Sequence, residues 1–156
     1  MHASEILRFS RWNGELQKAL QCIEEKAFPP DQRYSREEMV ERAARPGFEG
    51  ILVLERTGQE AIAIMIVYRP ETGSIYLDTL AVCRQGHGIG SALLRFLIRR
   101  CEASAGRNGI REIRLDTEGC TESPLRAYYQ RFGFGVASED RTRGNITMVR
   151  KVGQTA

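Results

Sequence analysis

Apolar positions recur at helical spacing near the start of this chain. Leu16, Ala19, Leu20, Ile23 and Ala27 predict an amphipathic helix over Glu15 to Phe28. Phe28-Pro29-Pro30 closes it, because proline disfavours helical geometry in the residue before it. Ser35 with Glu38 forms a capping box for a second helix carrying Met39, Val40, Ala43 and Ala44, and Pro46-Gly47 ends that one. Ile6 to Phe9 forms a short strand ahead of both. Three strand-like runs come next, Ile51 to Glu55, Ala61 to Arg69 and Ser74 to Val82, with turns at Thr57-Gly58 and Pro70 to Gly73. Connections this short imply antiparallel neighbours.

Ile89, Ala92, Leu93, Phe96, Leu97 and Cys101 then give the cleanest helical stripe, ending near Gly106. Ile110 to Thr117 reads as a strand, with Ile113 and Leu115 alternating against Arg114 and Asp116. Strand, helix and strand in this order make a parallel crossover. Ser123 as N-cap and Pro124 in the first turn open a short helix whose Leu125, Tyr128, Tyr129 and Phe132 share a face, with Gly133 at its end. Phe134 to Ser138 and Ile146 to Lys151 form a final hairpin. The expected fold is α/β: a mixed central sheet, antiparallel in its N-terminal part, with one parallel β-α-β crossover. There is no repeat or linker, so residues 1–156 are expected to form a single domain.

Composition narrows the function classes. A net charge of +3 is too small to argue for nucleic-acid binding. The longest apolar run, Ala61 to Tyr68, is too short to span a membrane. Met1 to Gly14 has charges at Glu5, Arg8 and Arg11 and no apolar core of a signal peptide, so a cytoplasmic protein is expected. Cys22, Cys83, Cys101 and Cys120 lie far apart, suggesting reduced thiols and neither a disulfide framework nor a metal site. His2 and His87 are the only histidines, which leaves little room for a Ser-His-Asp triad or a histidine metal centre.

The most informative stretch is Leu80 to Leu94, where an apolar strand end runs into Gln85-Gly86-His87-Gly88-Ile89-Gly90-Ser91 and then a helix. Alternating glycines bring bare N–H groups close to a ligand, and the helix adds the positive end of its dipole. Together they make a cradle for a phosphate group, here a pyrophosphate. A nucleotide P-loop needs Lys after its last glycine, and the chain has no Gly-Lys pair; a dinucleotide fingerprint needs glycine where Ser91 stands. The pattern that fits is Q-x-x-G-x-G.

On this motif the chain resembles the GNAT superfamily of acetyl-CoA-dependent N-acetyltransferases. A second match is Tyr128-Tyr129-Gln130-Arg131-Phe132-Gly133-Phe134, which is similar to the family's Y-x-K/R-x-G-F segment, and the order of elements is that of the GNAT fold. The resemblance implies that Gln85 to Ser91 hold the pyrophosphate of acetyl-CoA. It implies also that the backbone of Leu80, Ala81 and Val82 pairs with the pantetheine arm, one N–H polarising the thioester carbonyl. No metal is implied. Tyr129 is placed near the sulfur, where it can protonate the departing thiolate; packing alone is its other reading and the preferred one for Tyr128.

The acceptor amine must lose a proton before it attacks, and without a usable histidine the base is a carboxylate or a water held by one. Asp78, Asp116 and Glu118 stand near strand ends. Many relatives carry glutamate where this chain has Tyr76, so their base does not carry over. They also often carry asparagine where Glu122 stands. The helix-face arginines Arg95, Arg99 and Arg100, with Arg84, are candidates for the outer phosphate. Ala27 to Pro30 with Ser35 is similar to a stretch of N-terminal protein and arylalkylamine acetyltransferases, which leaves a small amine or a protein N-terminus as acceptor. A homodimer is left open. The alternative function is a non-catalytic acyl-CoA-binding module on the same scaffold.

Overall fold

The structure is a computed structural model, describing residues 5–55, 60–70, 73–83, 86–105, 107, 109–119 and 123–153. The expected turn at Thr57-Gly58 and helix end at Gly106 lie outside these residues, as do Arg84, Gln85, Cys120 and Glu122; of Glu118 only the backbone is described.

The elements run β1 (Glu5–Phe9), α1 (Gly14–Ala27), a 3₁₀ turn (Pro30–Gln32), α2 (Arg36–Ala43), β2 (Glu49–Leu54), β3 (Ala61–Tyr68), β4 (Ser74–Val82), α3 (Ile89–Ala103), β5 (Glu112–Glu118), α4 (Pro124–Arg131), β6 (Gly135–Asp140) and β7 (Asn145–Lys151). Local chemistry explains most boundaries. Asn13 caps α1 by accepting from Leu16 N–H at 2.7 Å, and Ser35 caps α2 by accepting from Glu38 N–H at 3.1 Å. Ser123 stands at the N-cap of α4 without a side-chain bond to the first turn, so Pro124 fixes that end.

One sheet holds all seven strands in the order β1-β2-β3-β4-β5-β7-β6. Only β4 and β5 are parallel; every other pair is antiparallel. Helices cover both faces. Met65, Leu77, Leu94, Leu97, Ile113 and Met148 belong to the core beneath α3 and α4, while Leu16, Leu20, Ile23, Leu52, Ile64 and Ile66 form the one beneath α1 and α2. β3, buried along its whole length, serves both cores. No helix among the described residues is long and apolar enough to cross a membrane. Leu94, on the inner face of α3, is fully buried, so Leu94→Ala is expected to cost about 2–5 kcal/mol, read as a lower urea midpoint with unchanged slope.

Two features of β4 part the sheet and aim its side chains. The β3–β4 register steps from Ile66↔Thr79 to Val67↔Leu77, leaving Asp78 as the extra residue of a bulge. A one-residue slip exchanges the two faces of a strand, so Ile75 and Leu77 before the bulge and Leu80 and Val82 after it all pack toward the α3 core. The second feature is the short ladder to β5, which pairs only Ser74, Ile75 and Tyr76 with Glu112, Ile113 and Arg114. Beyond it β4 stays with β3, while β5 pairs with β7 from end to end. The sheet therefore splits into two leaves joined at one end.

Candidate active site

The split leaves backbone groups of Leu77–Val82 on the β5 side without a ladder partner among the described residues. Groups of this kind are satisfied by water or by an extended ligand that pairs like a strand. Two cavities meet there, of about 500 and 400 Å³, and Leu80, Val82, Leu125 and Tyr129 line both. The gap lies at the C-terminal ends of the parallel strands, the usual position for ligands in such sheets.

The first cavity lies against the start of α3 and is lined by Gly86, Gly88, Gly90 and Ser91. Gly88, at φ +72°, is the N-cap of α3 in the left-handed region, with no side-chain cap on the helix. The first-turn N–H groups are thus left for a ligand. A Cβ on Gly86 or Gly88 would have nothing within 4 Å, whereas one on Gly90 would stand 3.3 Å from Val82 Cγ2. The loop glycines therefore border open space, and Gly90 lets α3 approach β4. An open concavity facing free N–H groups at a helix N-terminus fits a pyrophosphate. Of the other residues expected here, Ile89 packs on the α3 core, His87 is exposed, Ala81 buries its side chain under α1 and Gln85 lies outside the described residues.

Tyr129 stands where the cavities join. Its ring is held edge-on by Tyr128 at 5.2 Å and Phe134 at 5.8 Å. Gly133, at φ +86°, ends α4 in the left-handed region, and Phe134 N–H turns back to Tyr129 O at 3.2 Å. This is the structural content of the Gly-Phe pair in the second motif. Burial, and the neighbouring Tyr128, raise the Tyr129 hydroxyl to about 12. Tyr128 packs as expected, but its hydroxyl also shares a 3.1 Å hydrogen bond with Ser91 Oγ, which either group can donate. Sequence alone did not assign it that contact with the first turn of α3.

The second cavity brings Asp78 and Asp116 to the same wall as Tyr129. The bulge turns Asp78 toward α2, where Arg42 Nε donates to it at 3.2 Å and Thr79 Oγ1 at 3.0 Å; its side chain is 5% exposed. Asp116 accepts from Tyr76 Oη at 2.6 Å and from Thr147 Oγ1 at 2.5 Å, so residues of β4 and β7 fix its two oxygens. Burial first, then the bond to Asp116 and its charge, push the Tyr76 hydroxyl far up, keeping it a donor. The bonds of Tyr76 and Thr147 to Asp116 are not legible in the sequence, because cross-strand partners depend on register.

Glu24 was also unforeseen, although its position between Ile23 and Ala27 on the apolar face of α1 was a signal. It is 3% exposed and lines the second cavity. Burial raises its carboxyl above the usual range, offset in part by the Tyr34 N–H that donates to it at 2.8 Å. A further cavity of about 450 Å³ lies away from these residues, by Arg8 and Arg100. Its one carboxylate among the described lining residues, Glu49, is already held by those two arginines.

The site is thus a sheet parted between its parallel strands, a helix N-terminus facing the gap and a tyrosine at the junction. The chain belongs to the acetyltransferase (GNAT) family, whose sequence model matches residues 15–134. No curated protein matches it in sequence. Among solved structures it is similar to the ribosomal-protein-S18-alanine N-acetyltransferase from Escherichia coli, at 20% identity and TM-score 0.74 over 99% of this chain and 97% of that one. Ard1 from Thermoplasma volcanium is similar at 16% identity and TM-score 0.72 over 96% and 98% of the two chains. A GNAT family acetyltransferase from Elizabethkingia anophelis, solved with acetyl-CoA bound, is similar at 15% identity and TM-score 0.68 over 96% and 98%. At such identities the likeness establishes the fold.

Proposed function

We propose that this protein is an N-acetyltransferase that moves the acetyl group of acetyl-CoA to a primary amine, by direct attack in a ternary complex. The observation that carries the reading is the junction of two cavities at Tyr129, one reaching the α3 N-terminus and the other lined by carboxylates. Bound acetyl-CoA supplies the activated acetyl thioester. Gly86 to Ser91, with Gln85 by family resemblance, hold its pyrophosphate, and the free edge of Leu80, Ala81 and Val82 pairs with the pantetheine arm. An N–H of that edge is the fixed dipole for the carbonyl oxygen.

Tyr129 donates the proton that the leaving sulfur requires. Asp116 takes the amine's proton, directly or through a water; its hydrogen bonds from Tyr76 and Thr147 aim both oxygens and keep it a fixed acceptor. Asp78, already committed to Arg42, is the weaker candidate for that proton and holds α2 against the bulge. A non-catalytic acyl-CoA-binding module would not need a buried phenol and an oriented carboxylate on one cavity wall.

Acetyl-CoA is expected to raise the melting temperature where ATP and NAD do not, and an amine screen should release CoA thiol. Thermal stabilisation without thiol release from any amine would favour the binding module. The pH profile has a worked sign. The rate rises with pH as the amine loses its proton. A Tyr129 hydroxyl raised to about 12 stays protonated throughout the range in which the enzyme is assayed. The profile should therefore show no descending limb up to about pH 10. A fall near pH 8 would remove Tyr129 as the acid.

A further inference from the structure

The acceptor cavity is more acidic than a lone amine requires. Its wall contains Glu24, Asp78 and Asp116, with no lysine or arginine among the described residues that line it, in a chain of net charge +3. Asp78 is neutralised from behind by Arg42. Glu24 and Asp116 have no ion pair among the described residues. Arg33 acts on Glu24 from a distance, but its guanidinium bonds the carbonyls of Phe28 and Glu25. Glu24 also has an unmet need: Oε2 accepts from Tyr34 N–H, while the buried Oε1 has no hydrogen-bond partner among the described residues. A buried carboxylate oxygen left this way is unfavourable unless a ligand answers it. Sheltered from water, its attraction for a cation is weakly screened. Phe28 lines the same wall and offers aromatic surface to an alkyl chain, while the Tyr34 ring beside it already stacks under the Arg42 guanidinium at 4.0 Å.

We propose that the acceptor is a small aliphatic amine carrying a second positive charge, with its reacting nitrogen at Asp116 beside Tyr129 and its distal ammonium in the field of Glu24. The inference rests on the N-acetyltransferase reading and names its substrate class. Two carboxylates without a counter-ion match two ammonium groups, whereas a monoamine leaves one buried charge uncompensated. A peptide N-terminus brings one charge and a row of backbone groups. The free edge of β4 that could receive them is assigned to the pantetheine arm.

The test is calorimetric binding of putrescine, n-butylamine, γ-aminobutyrate and a neutral tetrapeptide amide to the CoA-saturated protein. Putrescine should bind about ten- to a hundredfold more tightly than butylamine, the worth of one charge-assisted contact, and γ-aminobutyrate most weakly because its far end is an anion. Glu24→Gln keeps an oxygen for Tyr34 N–H and should bring putrescine down to the affinity of butylamine, with CoA affinity as the folding check. Equal binding of putrescine and butylamine by the native protein overturns the proposal without any variant. Tighter binding of the tetrapeptide amide also overturns it, in favour of a protein N-terminus. Thiol release separates the two readings. Butylamine acetylated as fast as putrescine removes the second charge and leaves the transferase. Tight putrescine binding with no thiol release from any amine removes the transferase and leaves the cavity's preference standing.

Discussion

Tyr129→Phe is expected to lower kcat by about 10²–10⁴-fold, the usual contribution of a positioned acid, while acetyl-CoA affinity hardly changes. The ring contacts with Tyr128 and Phe134 survive the substitution, so the variant should fold and melt like the parent. Only the hydroxyl is lost, and among the described residues that line both cavities Tyr129 alone carries a side-chain proton donor. Tyr128→Phe is the matched control. Its hydroxyl bonds Ser91 in the first turn of α3, so its loss should act on KM for acetyl-CoA and spare kcat. Steady-state kinetics on a good amine, with a burst experiment to show that chemistry limits the rate, reads both effects. A Tyr129→Phe enzyme of near-parental kcat would defeat the assignment of the acid.

Gly88→Glu should nearly abolish acetyl-CoA binding in a folded protein. Two effects add. At φ +72° any side chain strains the backbone, at a cost of about 1–2 kcal/mol. A carboxylate at the N-cap of α3 also stands where a doubly charged pyrophosphate should sit. Like charges about 4 Å apart at an effective dielectric near 20 repel by about 4 kcal/mol, close to a thousandfold in affinity. A Cβ on Gly88 meets no protein atom within 4 Å, so the substitution does not disturb the fold by collision, and the bulk of the side chain falls in the ligand's space. Gly88→Ala carries the strain without the charge and should lose far less. Calorimetry on both variants separates the terms, and unchanged affinity in folded Gly88→Glu would move the pyrophosphate elsewhere.

Much of the fold was legible because its signals are local. Helical stripes, the Ser35 cap, the prolines after Phe28 and the turn glycines all act within a few residues, and the elements they predict agree with the structure to within a few positions. The glycine loop was legible for the same reason, since left-handed backbone at residues 86 and 88 is written in the residue type. The break in alternation between Leu77 and Leu80 was present in the sequence too, but only pairing with β3 turns it into a bulge that aims Asp78.

The sequence by itself determined which segments are helix or strand, where the chain turns, and that a helix N-terminus with bare N–H groups comes after β4. Tertiary structure alone decided that β7 inserts between β5 and β6, and that the parallel ladder stops at Tyr76. It also put Tyr76 and Thr147 on Asp116, Arg42 on Asp78, and Glu24 on the wall of the acceptor cavity. The physical reason is range. Backbone preferences and amphipathic period are set by near neighbours, whereas a hydrogen bond between residues 40 positions apart, as between Tyr76 and Asp116, exists only once register and packing place the two strands side by side.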